Sequence, residues 1–289
     1  MSQRWLVTGG SRGIGRALSQ AVLAAGHRLV ATARDPSRLL DLKERHGDAV
    51  RTAALDVTDP AAARNAVGLA IESFGGLDVL VNNAGYGDIG SVEDTDLDDF
   101  RRQIEANLFG TIIVTKAAIP VMRRQRGGHI IQFSSVGGRI GAPGRAAYSA
   151  AKWGVEGFSE VLAQEMALVG VKVTVVEPGG FRTDFAGSST SLDAGRAEYE
   201  AVVGAAVRMQ RALNGRQPGD PEQAARAILA VAAMDRPPFR LPLGTDAVRA
   251  IEEADRARLA ELDRWRALSS ATDFDRRGGD GAGPPDEDP

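Results

Sequence analysis

The chain has 289 residues, 43% hydrophobic and 25% charged, with a formal net charge of −3, which suits a globular protein able to bury a deep pocket. A balance so near neutral offers no broad basic field for nucleic acid or an anionic membrane. Cysteine is absent and the histidines are three, His27, His46 and His129, far apart in sequence, so disulfides, thiolate nucleophiles and zinc clusters are excluded and no metal is expected.

Residues 5–8 read as a short buried strand, too short for a signal-peptide core, which runs directly into a glycine turn. No apolar run approaches the length of a bilayer span, and a cytoplasmic location is expected. Ile14, Ala17, Leu18, Ala21 and Val22 then keep the i, i+3, i+4 rhythm of a helix packed on a sheet. A second strand is expected at 28–33, followed by Asp35-Pro36, an N-cap and first-turn proline opening a polar helix. A third strand at 50–55 precedes a helix whose Ala63, Ala66, Val67, Ala70, Ile71 and Phe74 form one apolar stripe. Further strands fall at 77–81, 129–133 and 171–176, with long helical patterns over 97–124 and 148–168. Strands separated by helices make repeated βαβ units, hence an α/β fold with a doubly wound, Rossmann-type parallel sheet in a single domain.

After residue 176 the pattern loosens. Residues 178–219, with a Ser/Thr cluster at 188–191 and a helical piece near 195–213, are expected to cover the site. Asp220-Pro221-Glu222-Gln223 resembles a capped helix start, and 239–243 a last strand. Val248, Ile251, Asp255, Leu259, Leu262 and Trp265 share a mostly apolar helical face expected to pack on the body. The domain therefore spans 1–245, with a helical extension at 246–274. A disordered tail is expected at 275–289, where Gly, Pro and acids dominate.

Three clusters carry chemistry. Thr8-Gly9-Gly10-Ser11-Arg12-Gly13-Ile14-Gly15 joins the first strand to the first helix, where glycines let backbone approach a pyrophosphate at the helix N-terminus. The spacing G-x-x-x-G-x-G differs from the commoner dinucleotide fingerprint, but its place after a buried strand points to dinucleotide binding. The end of the second strand decides which one: an acid there selects NAD, a base pairs with a 2′-phosphate. Asp35 stands at about the right place for that acid, yet capping accounts for it; Arg34 with Arg12 could clamp a phosphate, or both could be solvated. Tyr148 and Lys152 lie four apart at a helix start and share one face. A neighbouring ammonium lowers the pKa of a phenol, so the pair can exchange a proton with a substrate oxygen. Ser135, at the end of the fifth strand, adds a hydroxyl for the same oxygen; Ser134 is its rival and points to the opposite face.

Together with Asn82-Asn83-Ala84-Gly85, Asn107, and Pro178-Gly179 followed by Thr183, these motifs stand in an order and spacing that resembles the single-domain short-chain dehydrogenase/reductase family over residues 4 to about 245. The resemblance implies an oxidoreductase in which Tyr148 is general acid in reduction and Ser135 holds the substrate oxygen. Lys152 would bind the nicotinamide ribose and depress the Tyr148 pKa, and Asn107 would hold a water of the proton relay. Gly9, Ser11, Arg12, Gly13, Ile14, Gly15, Arg34, Asp56, Val57, Asn83, Ala84, Gly85, Pro178, Gly179 and Thr183 would bind the cofactor with Tyr148 and Lys152. Asp56 would meet the adenine amine, unless it is only a strand-end turn acid, and Asn82 would tie neighbouring strands. The family's NAD-selecting acid matches Ala33, so the implied cofactor is NADP(H) rather than NAD(H). The stretches 82–87 and 177–183 look like the hydroxysteroid and retinol dehydrogenase branch, implying a lipophilic carbonyl or alcohol substrate. Tyr86, Ile140, Pro143, Phe181 and Phe185 are candidates for the pocket wall. Family members commonly pair through the helices at 97–124 and 148–168, which implies a homo-oligomer.

Overall fold

The computed structural model describes residues 2–186 and 190–274. Seven strands, β1 (Arg4–Val7), β2 (Arg28–Ala33), β3 (Val50–Ala54), β4 (Val79–Asn82), β5 (Gly128–Phe133), β6 (Val171–Pro178) and β7 (Arg240–Leu243), form one sheet in the order β3-β2-β1-β4-β5-β6-β7. Every pairing is parallel. This is the doubly wound, Rossmann-type single domain expected from the alternating pattern. The order reverses between β1 and β4, so the carboxyl ends of the strands open a crevice there.

Alternation along the strands decides which helix covers which face. Trp5, Val7, Leu29, Ala31, Val79 and Val81 point to one side, against Leu18 and Val22 of α1 (Gly13–Ala24) and Ala225 and Ile228 of α8 (Pro221–Ala232). Leu6, Val30, Leu80 and Ile130 point to the other side. They meet Ala66 and Ala70 of α3 (Pro60–Phe74), Val114 and Ala118 of α5 (Gly110–Gln125), and Leu162 of α6 (Ala146–Ala167). The stripe expected on α3 holds except at Ile71, which is exposed. Its N-cap Asp59 accepts from Ala61 N and Ala62 N. Asp35 caps as expected, but onto a 3-10 turn at Pro36–Leu39 that leads into α2 (Leu40–His46).

The helical pattern at 97–124 is α4 (Leu97–Ile104), a π turn at Glu105–Phe109, and α5 in one run. By length and hydropathy this run could cross a membrane, which corrects the expectation that no stretch is long enough. Its inner face packs on the sheet instead, and buries the polar Asn107, Thr111 and Thr115. Residues 190–213 carry short 3-10 and π turns before α7 (Ala205–Leu213). Ser188 and Ser189, and the expected tail at 275–289, lie outside the described residues. Helix α9 (Thr245–Ser270) begins in a compact unit that ends at Ile251, and a second unit runs from Glu252. Of the apolar face expected there, Ile251 is buried while Val248, Leu259, Leu262 and Trp265 are exposed.

Candidate active site

The carboxyl ends of β1, β2, β4, β5 and β6 border one cleft of about 1000 Å3. At one end, Gly9 (φ 67°) and Gly13 (φ 55°) turn the chain through the left-handed region, where a side chain would strain the backbone. A Cβ on Gly15 would lie 2.4 Å from both Gly9 O and Asn83 Nδ2. Gly15 therefore packs the turn rather than lining the cleft. Asn83 clamps the turn from just past β4: its Nδ2 donates to Thr8 O at 2.9 Å and Gly9 O at 3.2 Å, and Thr8 Oγ1 accepts from Asn83 N and Ala84 N. Asn82 donates to Gln132 Oε1 on β5 and Thr115 Oγ1 on α5, the strand tie expected of it.

Beyond the turn, β2 ends at buried Ala33, which offers no acid. Asp35 Oδ1 is engaged by Ser37 N at 3.0 Å and Ser37 Oγ at 2.6 Å, bonds that hold its carboxyl below the usual range. Arg12 and Arg34 line the cleft, and neither makes an ion pair with any described residue. Asp56 also lines it, with Oδ1 accepting from Thr58 N and Thr58 Oγ1. The turn role is thus occupied, and it lowers the carboxyl's pKa.

In the middle, Tyr148 and Lys152 rise from the first turns of α6, and Ser135 from the end of β5. Burial pushes the Tyr148 phenol up, while the Ser135 hydroxyl and the Arg145 charge pull it down. Lys152 Nζ donates to Phe133 O at 2.8 Å and sits 5.7 Å from the Tyr148 ring centroid. Desolvation lowers its pKa to about 8, against the opposing charge of Glu156. Ser135 Oγ accepts from Gly137 N. Ser134 Oγ is buried without a partner, and a Cβ on Gly138 would meet it at 2.3 Å.

Asn107 does not reach the cleft. It is buried in the π turn, where Oδ1 accepts from Tyr86 N and Nδ2 donates to Tyr86 O and Gln103 O. Ser11, Ile14, Val57, Ala84, Gly85, Pro178, Gly179 and Thr183 line the cleft as expected, with Tyr86, Phe181 and Phe185 on its wall. Ile140 and Pro143 do not: Ile140 N bonds back to Val136 O, and Pro143 is exposed. Among residues whose part in the site the sequence does not show, Arg145 lines the cleft 5.9 Å from the Tyr148 ring centroid, and Gly87 lies against that ring. Gly87 closes the stretch 82–87 and Arg145 belongs to no motif, and only the folded chain brings both to Tyr148.

A cleft with a Cβ-free turn at one end, two uncommitted arginines beyond it and a Tyr-Ser-Lys cluster in the middle fits a nicotinamide dinucleotide. A family model described as short chain dehydrogenase matches residues 3–193. Oxidoreductase BOA17 of Botryotinia fuckeliana is 47% identical over 94% of this chain and 100% of its own length. A 3-ketodihydrosphingosine reductase of Bacteroides thetaiotaomicron is 35% identical over 83% of this chain and 87% of its own. A crystal structure of a short-chain dehydrogenase from Streptomyces avermitilis superposes with a TM-score of 0.88 at 38% identity, covering 95% of this chain and 100% of that one.

Proposed function

This chain belongs to the short-chain dehydrogenase family and is an oxidoreductase that uses a nicotinamide cofactor, and from that premise we propose that it moves hydride between NADP(H) and a carbonyl or secondary alcohol carbon with Tyr148 as acid/base. The bound nicotinamide supplies or accepts the hydride. The observation that carries the reading is the phenol of Tyr148 beside the Ser135 hydroxyl, which lowers its pKa, with Lys152 one helical turn along. Ser135 holds the substrate oxygen, and Tyr148 Oη gives it a proton in reduction and takes one in oxidation. In this reading Lys152 binds the nicotinamide ribose, while the groups that lower the pKa of the phenol are the Ser135 hydroxyl and the Arg145 charge rather than the expected ammonium of Lys152.

Two observations support NADP(H) over NAD(H). Strand β2 ends without an acid, and Asp35 is engaged by Ser37 while Arg12 and Arg34 stay uncommitted. The 3-ketodihydrosphingosine reductase is named for a ketone, which agrees with a carbonyl substrate here. Tyr86, Phe181, Phe185 and Leu213 on the wall favour one with an apolar body. Exposed Phe109 on the π turn, Trp153 and Val161 on α6 and Leu168 just past its end support a homo-oligomer through those helices.

The test is NADPH oxidation followed at 340 nm against a panel of ketones, aldehydes and quinones. Tyr148→Phe should bind NADPH normally and lose turnover by at least a hundredfold, because it removes the proton and little volume. Reduction needs the neutral phenol, which burial favours, so wild-type reduction should fall only as pH rises through that ionisation, while oxidation rises with it. Normal reduction by Tyr148→Phe would remove the assignment.

A further inference from the structure

If the substrate oxygen sits between Ser135 and Tyr148, as the reading above requires, a second cation besides Lys152 stands close to that place: Arg145, which lines the cleft 5.9 Å from the Tyr148 ring centroid. Its position is unfavourable for folding alone. Arg145 is the N-cap of α6 and makes no side-chain cap bond there, whereas Ser, Thr, Asp or Asn would cap and stabilise the helix. A cation at the positive end of a 22-residue helix is opposed by the dipole. Burial opposes its charge as well. A fold that keeps a cation where local rules oppose it marks a functional position.

Its hydrogen-bond partners carry no charge, and the Tyr148 ring and Asp88 act on it only from a distance. Nη1 donates to Gly87 O at 2.9 Å and Nη2 to Gln210 Oε1 at 3.1 Å, both neutral acceptors. Arg145 makes no ion pair with any described residue. The acid that acts on it through space, Asp88, is engaged by Ser191 N at 2.7 Å. Gly87 and Gln210 fix the guanidinium plane from two sides, one from the loop after β4 and one from α7. The fork still has N–H donors for a planar anion, because an arginine carries five and these two bonds use two of them.

We propose that Arg145 recognises a carboxylate on the substrate, so that the enzyme acts on carbonyl acids, or the matching hydroxy acids, with an apolar body. The carboxylate pairs with Arg145 while the body lies along Phe185 and Leu213, and the reacting carbonyl reaches Tyr148. The pyrophosphate of the cofactor does not compete for this arginine in this reading, since the glycine turn that would hold it follows β1, whereas Arg145 opens α6 after β5, two strands along the sheet.

The experiment compares 4-acetylbenzoate with 4-acetylbenzamide, which share the ketone and ring and differ in charge. Wild-type enzyme should prefer the acid in kcat/KM by at least tenfold. Arg145→Gln should cut that preference at least tenfold, mainly through KM, and Arg145→Lys should keep part of it. Losing the Arg145 field on Tyr148 slows both ketones alike and cancels in the ratio. In parallel, calorimetry titrates 4-isopropylbenzoate, which has no carbonyl to reduce, into NADPH-loaded enzyme. It should bind wild type and lose at least tenfold in affinity with Arg145→Gln. An unchanged acid-to-amide ratio in the variant, or no acid preference and no binding in wild type, overturns the proposal. If neither ketone is reduced, the hydride-transfer reading fails on its own account, and the calorimetry alone decides for or against Arg145.

Discussion

At the scale of single residues, two adjacent side chains that sequence leaves open, Arg34 and Asp35, separate once their bonds are known. Asp35 directs Oδ1 into its own turn, to Ser37 N and Ser37 Oγ, with Arg38 3.8 Å from its other oxygen. A carboxylate so engaged is poorly placed to accept from a ribose diol. Arg34 is exposed at the cleft edge, its charge felt by Asp56 and Tyr86. Arg34→Ala should therefore raise KM for NADPH at least tenfold, with little effect on KM for NADH, because one charge-assisted phosphate contact is worth about 1.5–3 kcal/mol. Equal losses with both cofactors in parallel assays would mean that Arg34 supports the turn and reads no phosphate.

At the scale of elements, the turn between β1 and α1 is held by the side chain of Asn83, just past β4, so its geometry is not local. Gly15→Ala would drive its methyl into Gly9 O and the Asn83 amide, which together set the turn. We expect the variant to lose about 1–3 kcal/mol in urea denaturation and at least tenfold in NADPH affinity by fluorescence titration. Unchanged affinity would separate the turn from cofactor binding. The seven strands were legible because alternation and apolar runs are backbone-periodic signals. Their ends shifted by a residue or two where register with a neighbour, as between Pro178 and Leu243, extended the pairing. The Tyr148, Lys152 and Ser135 cluster was legible because spacing on one helix and position at a strand end fix it. The π turn was not, since widening a helix by one residue leaves no mark on composition; Asn107 was named, but its grip on Tyr86 depends on that widening. Arg145, Gly87 and Gln210 come from three separate elements, and no periodicity along the chain relates them.

At the scale of the whole molecule, the site is backed by a buried ionic knot that joins four elements. Glu177, fully buried on β6, accepts from Arg139 at 3.0 Å, and Arg240 on β7 lies 3.4 Å from the same oxygen. Arg240 also meets Glu156 at 3.0 Å and Glu160 at 2.6 Å, both on α6. Glu156 stands one turn beyond Lys152, and Glu177 immediately precedes Pro178-Gly179, so the knot fixes the helix that carries Tyr148 and Lys152 against the strand that leads into the Pro178-Gly179 loop of the cleft. Burial and the neighbouring Glu156 push the Glu177 carboxyl up, and the two arginines pull it back. Arg240→Met should cost about 3–5 kcal/mol near neutral pH, because it leaves two close carboxylates in a dry site with less positive charge to hold them. The sign of its pH dependence follows from linkage. In the variant the folded Glu177 pKa rises further above its unfolded value, so protonation relieves the cost at low pH and the deficit grows as pH rises. Urea denaturation of both proteins at pH 5 and pH 8 measures this, and adding Glu177→Gln to the variant should restore much of the loss at pH 8. A deficit that is the same at both pH values and is not relieved by Glu177→Gln would mean that Arg240 contributes through packing of its stem, and the knot would then be a consequence of the fold rather than a brace for the site.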